Sequence, residues 1–110
     1  MSDLNKVTII GRLGKKPEIS LTNGGKSVVN ANFATNFSYR DADGVKVEQT
    51  DWHRVTFYAG LADVVTAYMD KGSRAYIEGR LKYGKYRDQD GIDRYTTEIV
   101  ASELQMLDSR

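Results

Sequence analysis

The sequence predicts an all-β protein: one small closed barrel of five strands, with one short helix between the third and fourth strands. Apolar and polar residues alternate with a period of two along most of the chain, and only one segment has a helical period. The 110 residues fit a single domain spanning residues 1–110, and a hydrophobic content of 40% supplies a core. Closure is expected because a flat five-stranded sheet would expose two edges.

The strands before the helix are indicated by alternation and by turn signals. In the third segment, Val29, Ala31, Phe33 and Phe37 fall on one face, which predicts that this face lies in the core. The run Asn23-Gly24-Gly25 before it is typical of a tight turn. Three long strands and one short piece are predicted here: Asn5–Leu13, Pro17–Leu21 (the short piece), Ser27–Phe37 and Gln49–Tyr58.

The helix is predicted over Leu61–Met69, and Lys71-Gly72 supplies a terminal cation and a glycine cap. Its apolar residues recur at helical spacing: Leu61, Val64, Val65 and Tyr68. Two further strands, Ser73–Arg87 and Tyr95–Ala101, follow around the turn Asp88–Gly91. This order of elements is that of the oligonucleotide/oligosaccharide-binding barrel, the OB-fold.

The composition excludes several classes of protein. The chain has no cysteine, so disulfides and thiolate metal sites are excluded. No apolar run approaches the roughly 20 residues of a membrane span, and the N-terminus does not resemble a signal peptide, so we expect a cytoplasmic protein. Gly25-Lys26-Ser27 resembles the end of a phosphate-binding loop, but Ser20 occupies the position of its first glycine and a strand follows. We therefore expect no cofactor.

The strand Thr50–Tyr58 carries the main functional signal. Its alternation puts Trp52, Arg54, Thr56 and Tyr58 on one face, with His53, Val55 and Phe57 on the other. An outward tryptophan is unfavourable unless it meets a partner. Single-stranded nucleic acid is such a partner, because bases stack on aromatic rings at about 1–3 kcal/mol each while cations hold the phosphates. Taken alone, the strand slightly favours packing against a helix or another subunit over binding of nucleic acid.

Further aromatic residues beside basic ones favour binding of nucleic acid over packing. The predicted hairpin reads Lys82-Tyr83-Gly84-Lys85-Tyr86-Arg87, and Tyr39-Arg40 precedes the polar loop Asp41–Gly44. The net charge of +1 is low for a nucleic-acid binder, so the local placement of cations matters more than their total. Stacking surfaces do not read the 2′-hydroxyl, which leaves DNA and RNA both open at this point.

Several segments, spread from Asn5 to Leu107, resemble the bacterial single-stranded DNA-binding protein (SSB) family. The resemblance implies an OB-fold, assembled as a homotetramer, that binds single-stranded DNA without sequence preference in replication, recombination and repair. It would act where single-stranded DNA is exposed at the nucleoid. The matching segments are Asn5–Gly11, Thr50–Val55, Lys71–Ser73, Tyr76–Gly79 and Asp93–Glu98.

The resemblance also assigns roles to single residues. It implies base stacking on Tyr39, Trp52, Tyr58 and Tyr86. It implies phosphate contacts from Lys6, Arg54, Lys71, Lys82 and Lys85. It places His53, Tyr76 and Glu78 at subunit interfaces, while the residues alone also fit a packed His53 and a solvated face for Tyr76 and Glu78. Tyr39 and Tyr86 stand where many relatives carry tryptophan, and Gly60 and Gly84 where well-known relatives carry cations, which implies weaker binding.

Relatives usually continue into a flexible tail with an acidic tip, whereas the given sequence ends at Arg110. We therefore expect no recruitment of repair enzymes through a tail. The alternative is an OB-fold protein-interaction module of the primosome type, a dimer with weak DNA binding. An OB-fold nuclease would need acidic metal ligands on the face that carries Arg54, Thr56 and Tyr58, so we expect a protein that is not an enzyme and binds no metal.

Overall fold

The computed structural model describes residues 3–108 and confirms the predicted OB-fold. Strands β1, β5, β6, β4 and β3 pair in that order, and β1 returns to pair with β3, which closes a five-stranded barrel. The short β2 lies on the edge of β3, and α1 stands between the third and fourth barrel strands. The elements are β1 (Val7–Leu13), β2 (Ile19–Leu21), β3 (Ser27–Arg40), β4 (Lys46–Tyr58), α1 (Gly60–Tyr68), β5 (Arg74–Arg87) and β6 (Asp93–Met106).

The core occupies the inside of the barrel. Phe33 and Phe57 meet edge to face with ring centroids 6.0 Å apart, and both are fully buried. Helix α1 covers one opening of the barrel with Ala62 and Val65, which are also fully buried. The predicted apolar face is only partly correct, because Val65 is buried but Tyr68 is 62% exposed and Ala62 takes a buried place. No helix within residues 3–108 is long and apolar enough to cross a membrane.

Two hairpins run well beyond the barrel wall. Strands β3 and β4 pair as far as Arg40 with Lys46, so the predicted ends of these strands at Phe37 and Gln49 are wrong. The turn is tight because the Asp41 carboxylate accepts the backbone N–H groups of Asp43 and Val45. We call residues 35–51 the first arm, since β1 touches β3 only as far as Ala34.

The second arm is residues 82–98 of β5 and β6, which pair to Arg87 with Asp93. Strand β6 is thus longer at both ends than predicted. Strands β4 and β6 run parallel where Val55 and Thr56 pair with Ile99 and Val100, so both arms leave the barrel on the same side of this contact. The radius of gyration of 16.3 Å exceeds the roughly 13 Å of a compact domain of this size, as protruding arms require.

Candidate nucleic-acid interface

The outer face of β4 carries the predicted tryptophan and its neighbours. Trp52 pairs with Ala34 and Arg54 pairs with Asn32 on β3, so small and polar residues surround them. The Trp52 side chain is 60% exposed, Arg54 is exposed, and Tyr58 is half-buried. The face is therefore open to a ligand, with a cation between two aromatic rings.

Gly14 sets the position of the Trp52 ring. A Cβ atom at residue 14 would lie 2.6 Å from Cζ3 of Trp52, so only glycine lets the indole rest against the backbone there. A cavity of about 330 Å³ adjoins this contact, lined by Gly14, Lys15, Asn32 and Trp52. One side of the indole is thus supported, while its 60% exposure leaves much of the ring accessible to a base.

Thr56 corrects the sequence analysis, because it does not lie on an open surface. It is only 2% exposed, since β6 pairs with β4 at this point. Its hydroxyl can donate to Oδ1 of Asn30 at 3.0 Å or to Oε2 of Glu98 at 2.9 Å. Thr56 therefore joins β3, β4 and β6, and the open face is divided into one part near Trp52 and another near Tyr58.

The second arm continues this face across β6 and β5. Glu98, which reaches Thr56, pairs with Lys82, and Tyr86 lies four residues farther along the same face of β5. Tyr86 is 56% exposed. Gly84 lies between them, and a Cβ there would come within 2.7 Å of Oγ1 of Thr96. Position 84, where the family resemblance implies a cation, is therefore tightly confined in this chain.

Tyr39 lies on the other side of the first arm. Tyr39 pairs with Val47, and its side chain points to the same face of β3 as Phe37. Trp52 pairs with Ala34, whose side chain points to the opposite face. The Tyr39 ring stacks on Phe37, with centroids 5.7 Å apart and planes inclined by 25°. Both rings are about half exposed. A nucleic acid that stacks on Tyr39 and on Trp52 must therefore pass around the arm.

The five predicted phosphate-binding cations differ in their surroundings. Lys6 forms an ion pair with Glu78 at 3.3 Å, and Lys85 forms one with Asp93 at 3.4 Å. Within the described part of the chain, the remaining three have no carboxylate within ion-pair distance: Arg54, Lys71 and Lys82. These three are free to meet phosphates without first breaking an internal contact.

Lys71 lies in the turn that follows α1, next to a residue that contacts β1. The next residue, Gly72, donates its backbone N–H to the carbonyl oxygen of Leu13 at 2.7 Å. Leu13 directly precedes Gly14, on which the Trp52 ring rests. The turn after α1 is thus tied to the end of β1, and the phosphate contact of Lys71 stays a prediction.

The predicted interface residues occupy two separate places. Nε2 of His53 lies 2.8 Å from the hydroxyl of Thr35, and the imidazole is half-buried on the inner side of β4. Tyr76 and Glu78 lie on the outer face of β5, where their partners on β1 are Ile10 and Thr8. The assignment of these three residues to subunit interfaces stays a prediction.

A hydrogen-bonded network fixes the outer face of β5. The Tyr76 hydroxyl donates to Oε1 of Glu78 at 2.9 Å, and Lys6 approaches the same oxygen. This hydrogen bond lowers the pKa of Glu78, with a further lowering from Lys6, and it raises the pKa of Tyr76. Lys6 is thus engaged in the barrel wall rather than held ready for a phosphate.

The sequence analysis missed three residues that border the interface. Gly14 supports Trp52, Phe37 stacks on Tyr39, and Tyr95 stands opposite Lys85 on the second arm. Only Tyr95 had a usable signal, since the turn Asp88–Gly91 fixes the hairpin register. Among residues 3–108, no three His, Cys, Asp or Glu side chains group closely enough to hold a metal ion.

Sequence comparisons identify relatives of the chain. A model described as the single-strand binding protein family matches residues 4–107. A single-stranded DNA-binding protein of Xylella fastidiosa is 46% identical over 107 residues, which cover 97% of this chain and 65% of that protein. The counterpart from Neisseria meningitidis serogroup A is 44% identical, with 97% and 62% covered. The chain spans about three fifths of the length of these relatives.

Solved structures with the same fold agree. A Plasmodium falciparum SSB in complex with ssDNA superposes with a TM-score of 0.89 at 36% identity, covering 98% of both chains. A deletion mutant of the single-stranded DNA binding protein from Thermus aquaticus gives a TM-score of 0.83 at 29% identity, covering 97% of this chain and 52% of that one.

Proposed function

Because the chain belongs to the single-strand binding protein family, we propose that it binds single-stranded DNA without sequence preference and protects it in replication, recombination and repair. It does so as a binding protein and not as an enzyme, as its family does. Its place of action is the cytoplasm, where single-stranded DNA is exposed at the nucleoid. The names of its relatives and the structural match to a protein complexed with ssDNA support this proposal.

The observation that carries the proposal is the surface of Trp52. The indole is 60% exposed, rests on Gly14, and has the exposed Arg54 next to it on the same strand face. A flat ring beside a free cation is the combination that single-stranded DNA needs for base stacking and phosphate neutralisation. Tyr58 and Tyr86 extend the surface, and Tyr39 adds a ring on the other side of the first arm.

We further propose that the protein assembles as a homotetramer. The outer face of β1 and β5 presents Ile10, which is 47% exposed, beside the half-buried Tyr76. An exposed isoleucine beside a tyrosine on this strand face is available to pack against another copy of the chain. Light scattering should give four times the chain mass of 12.4 kDa. A dimer that binds DNA weakly would favour the protein-interaction module instead.

Titration of the intrinsic fluorescence with oligo-dT tests DNA binding directly. Trp52 is the single tryptophan, so its quenching reports on this surface alone. We expect quenching at low salt and an affinity that falls as salt rises. The slope of log K against log salt should be about −2 if Arg54, Lys71 and Lys82 each neutralise one phosphate, and about −3.5 if Lys6 and Lys85 also do. A folded protein without quenching at low salt contradicts the proposal.

A further inference from the structure

The second arm has another face, opposite to Tyr86, on which only Lys85 has been given a role, as a predicted phosphate contact. Tyr83 pairs with Thr97 and Lys85 pairs with Tyr95, so the side chains of Tyr83, Lys85 and Tyr95 project to the same side. Tyr83 is 70% exposed and Tyr95 is 76% exposed, the two highest values among the aromatic residues described. We call Tyr83, Lys85 and Tyr95 the tyrosine face.

The two rings of the tyrosine face do not stack on other rings of the described chain. Tyr83 and Tyr95 are diagonal neighbours across the two strands, since Tyr95 pairs with Lys85, two residues beyond Tyr83. Within residues 3–108 the close ring pairs are Phe33 with Phe57 and Phe37 with Tyr39, so neither tyrosine stacks on another ring of the chain. Two aromatic surfaces are thus held at fixed spacing on a paired ribbon, with their faces open.

The charge of this face is positive. Lys85 and Arg87 both contact the single carboxylate of Asp93, each at 3.4 Å. Two cations against one anion leave an excess of one positive charge beside the rings. All three groups are at least one-third exposed, so solvent and salt weaken the pairs and leave the cations able to exchange Asp93 for a phosphate.

The arm is narrow enough for one strand of nucleic acid to reach both faces. On one edge, β1 does not reach the second arm. The side chain of Asn5 hydrogen-bonds both the N–H and the carbonyl oxygen of Leu81, and no described strand pairs with this edge of β5 beyond that point. On the other edge, β4 leaves β6 at Val55 with Ile99. Residues 82–98 therefore form a two-stranded ribbon with both edges open. The side chains of Tyr86 and Lys85 point to opposite faces of this ribbon.

From these observations we propose that the tyrosine face is a second stacking platform for single-stranded DNA, which takes bases beyond those held by Trp52 and Tyr86. This inference rests on the proposed function. The occupant is DNA because the face repeats the chemistry of the Trp52 surface, aromatic rings beside a cation, and continues it around the ribbon. A buried role is excluded by the exposure of both rings, which leaves them little part in the core.

The test compares Tyr83→Ala/Tyr95→Ala with the unchanged protein on oligo-dT of two lengths. A short oligonucleotide of about 8 residues can be accommodated by the Trp52 surface, whereas one of about 16 can also reach the tyrosine face. We expect unchanged affinity for the short strand. For the longer strand we expect affinity to fall roughly fivefold or more for each lost ring.

Control variants separate stacking from other effects. Tyr68→Ala removes a ring that is 62% exposed on α1 and should leave both affinities unchanged. Tyr83→Phe/Tyr95→Phe keeps the rings and should keep the affinity. Quenching of Trp52 should persist in every variant. If it is absent from the unchanged protein, the proposed function itself has failed rather than this inference.

Two outcomes overturn the inference. Equal affinity of the double alanine variant for the long strand means that DNA does not stack on the tyrosine face. A change in the mass of the assembly by light scattering, with DNA affinity per chain unchanged, means that the face joins copies of the protein instead.

Discussion

Phe33 and Phe37 lie on the same strand and on the same side of it, four residues apart, yet they differ in burial. Phe33 is fully buried against Phe57, whereas Phe37 is 51% exposed and stacks on Tyr39. The strand pairing is regular throughout, so the backbone does not distinguish them. What differs is the surrounding barrel, which closes over Phe33 and has ended before Phe37.

The same contrast divides the whole molecule into a barrel body and two arms. Strand β5 buries Ala75 and Ile77 in the body, then carries the exposed Tyr83 and Tyr86 in the second arm. Apolar side chains inside the body exclude water from one another, whereas aromatic side chains on the arms and on the outer surface of the body around Trp52 remain open to a ligand. Stability and binding are therefore expected to respond to different residues along the same strands.

The largest expected effect, on the free energy of unfolding, comes from removing a core side chain of the barrel body. Phe33→Ala should lower the free energy of unfolding by about 3–5 kcal/mol, because it removes a buried ring and leaves a cavity. Phe37→Ala should lower it by no more than the roughly 0.5–1.5 kcal/mol of an aromatic pair. Urea denaturation measures both, and Phe33→Leu supplies a milder body variant if Phe33→Ala does not fold. Equal losses for Phe33→Ala and Phe37→Ala would erase the distinction between body and arms.

The body and the hairpin of the second arm were largely predictable from the sequence, and the extent of the first arm was not. The alternation of Val29, Ala31 and Phe33 identified the inner face, and the helical spacing of Leu61–Met69 located the helix. The same alternation also assigned Phe37 to the core, because a period of two gives the side of a residue and not whether another strand covers it. The sequence indicated the Asp41–Gly44 turn. How far β3 and β4 extend toward this turn depends on the hydrogen bonds between the two strands, which the sequence does not show.

The candidate site was predicted in its residue types and less in its contacts. The outward face of Trp52, Arg54 and Tyr58 follows from one strand and is open as predicted, apart from Thr56, which β6 buries. The ion pair of Lys6 with Glu78 joins residues 72 positions apart and arises only from the register of β1 with β5. The contact of Gly14 with Trp52 likewise depends on how a loop crosses β3.

A smaller effect is expected from Gly14→Ala, which sharpens the link between the body and the binding surface. The added methyl group would press on Trp52, so the ring must tilt away from its support. We expect weaker binding of poly-dT, by less than the roughly 1–3 kcal/mol of a lost stacking ring. Gly24→Ala is the matched control, since a Cβ there meets nothing closer than 4.0 Å. Equal affinities of these two variants would show that Trp52 needs no support from residue 14.

The smallest effect concerns pH and belongs to the body. The pKa of Glu78 is lowered from 4.5 in the folded protein, so its carboxylate stabilises the fold fully above pH 4.5 and this contribution is lost as pH falls below that. The pKa of Tyr76 is raised from 10.0, so its contribution is present below pH 10 and lost as pH rises through the raised value.

Glu78→Gln should therefore flatten the pH dependence of the thermal midpoint on both sides, measured from pH 3 to 11 with Glu18→Gln as the control. Asp88, whose pKa is lowered by Arg94 and by the backbone N–H of Ile92, should preserve part of the acid dependence below pH 3.8. Because the Glu78 network lies in the barrel wall, Trp52 quenching by oligo-dT should be unchanged at neutral pH. A loss of quenching in Glu78→Gln would mean that the Glu78 network and the Trp52 surface are not independent.

The central claim, that the exposed aromatic residues bind DNA and do not hold the fold, is tested most directly by Trp52→Ala measured in two ways. Poly-dT affinity at fixed salt should fall by about 1–3 kcal/mol, while the free energy of unfolding should change by less than about 0.5 kcal/mol. Trp52→Phe should retain most of the affinity. Unchanged DNA affinity in Trp52→Ala, or a loss of folding stability as large as the loss of binding, would contradict the account.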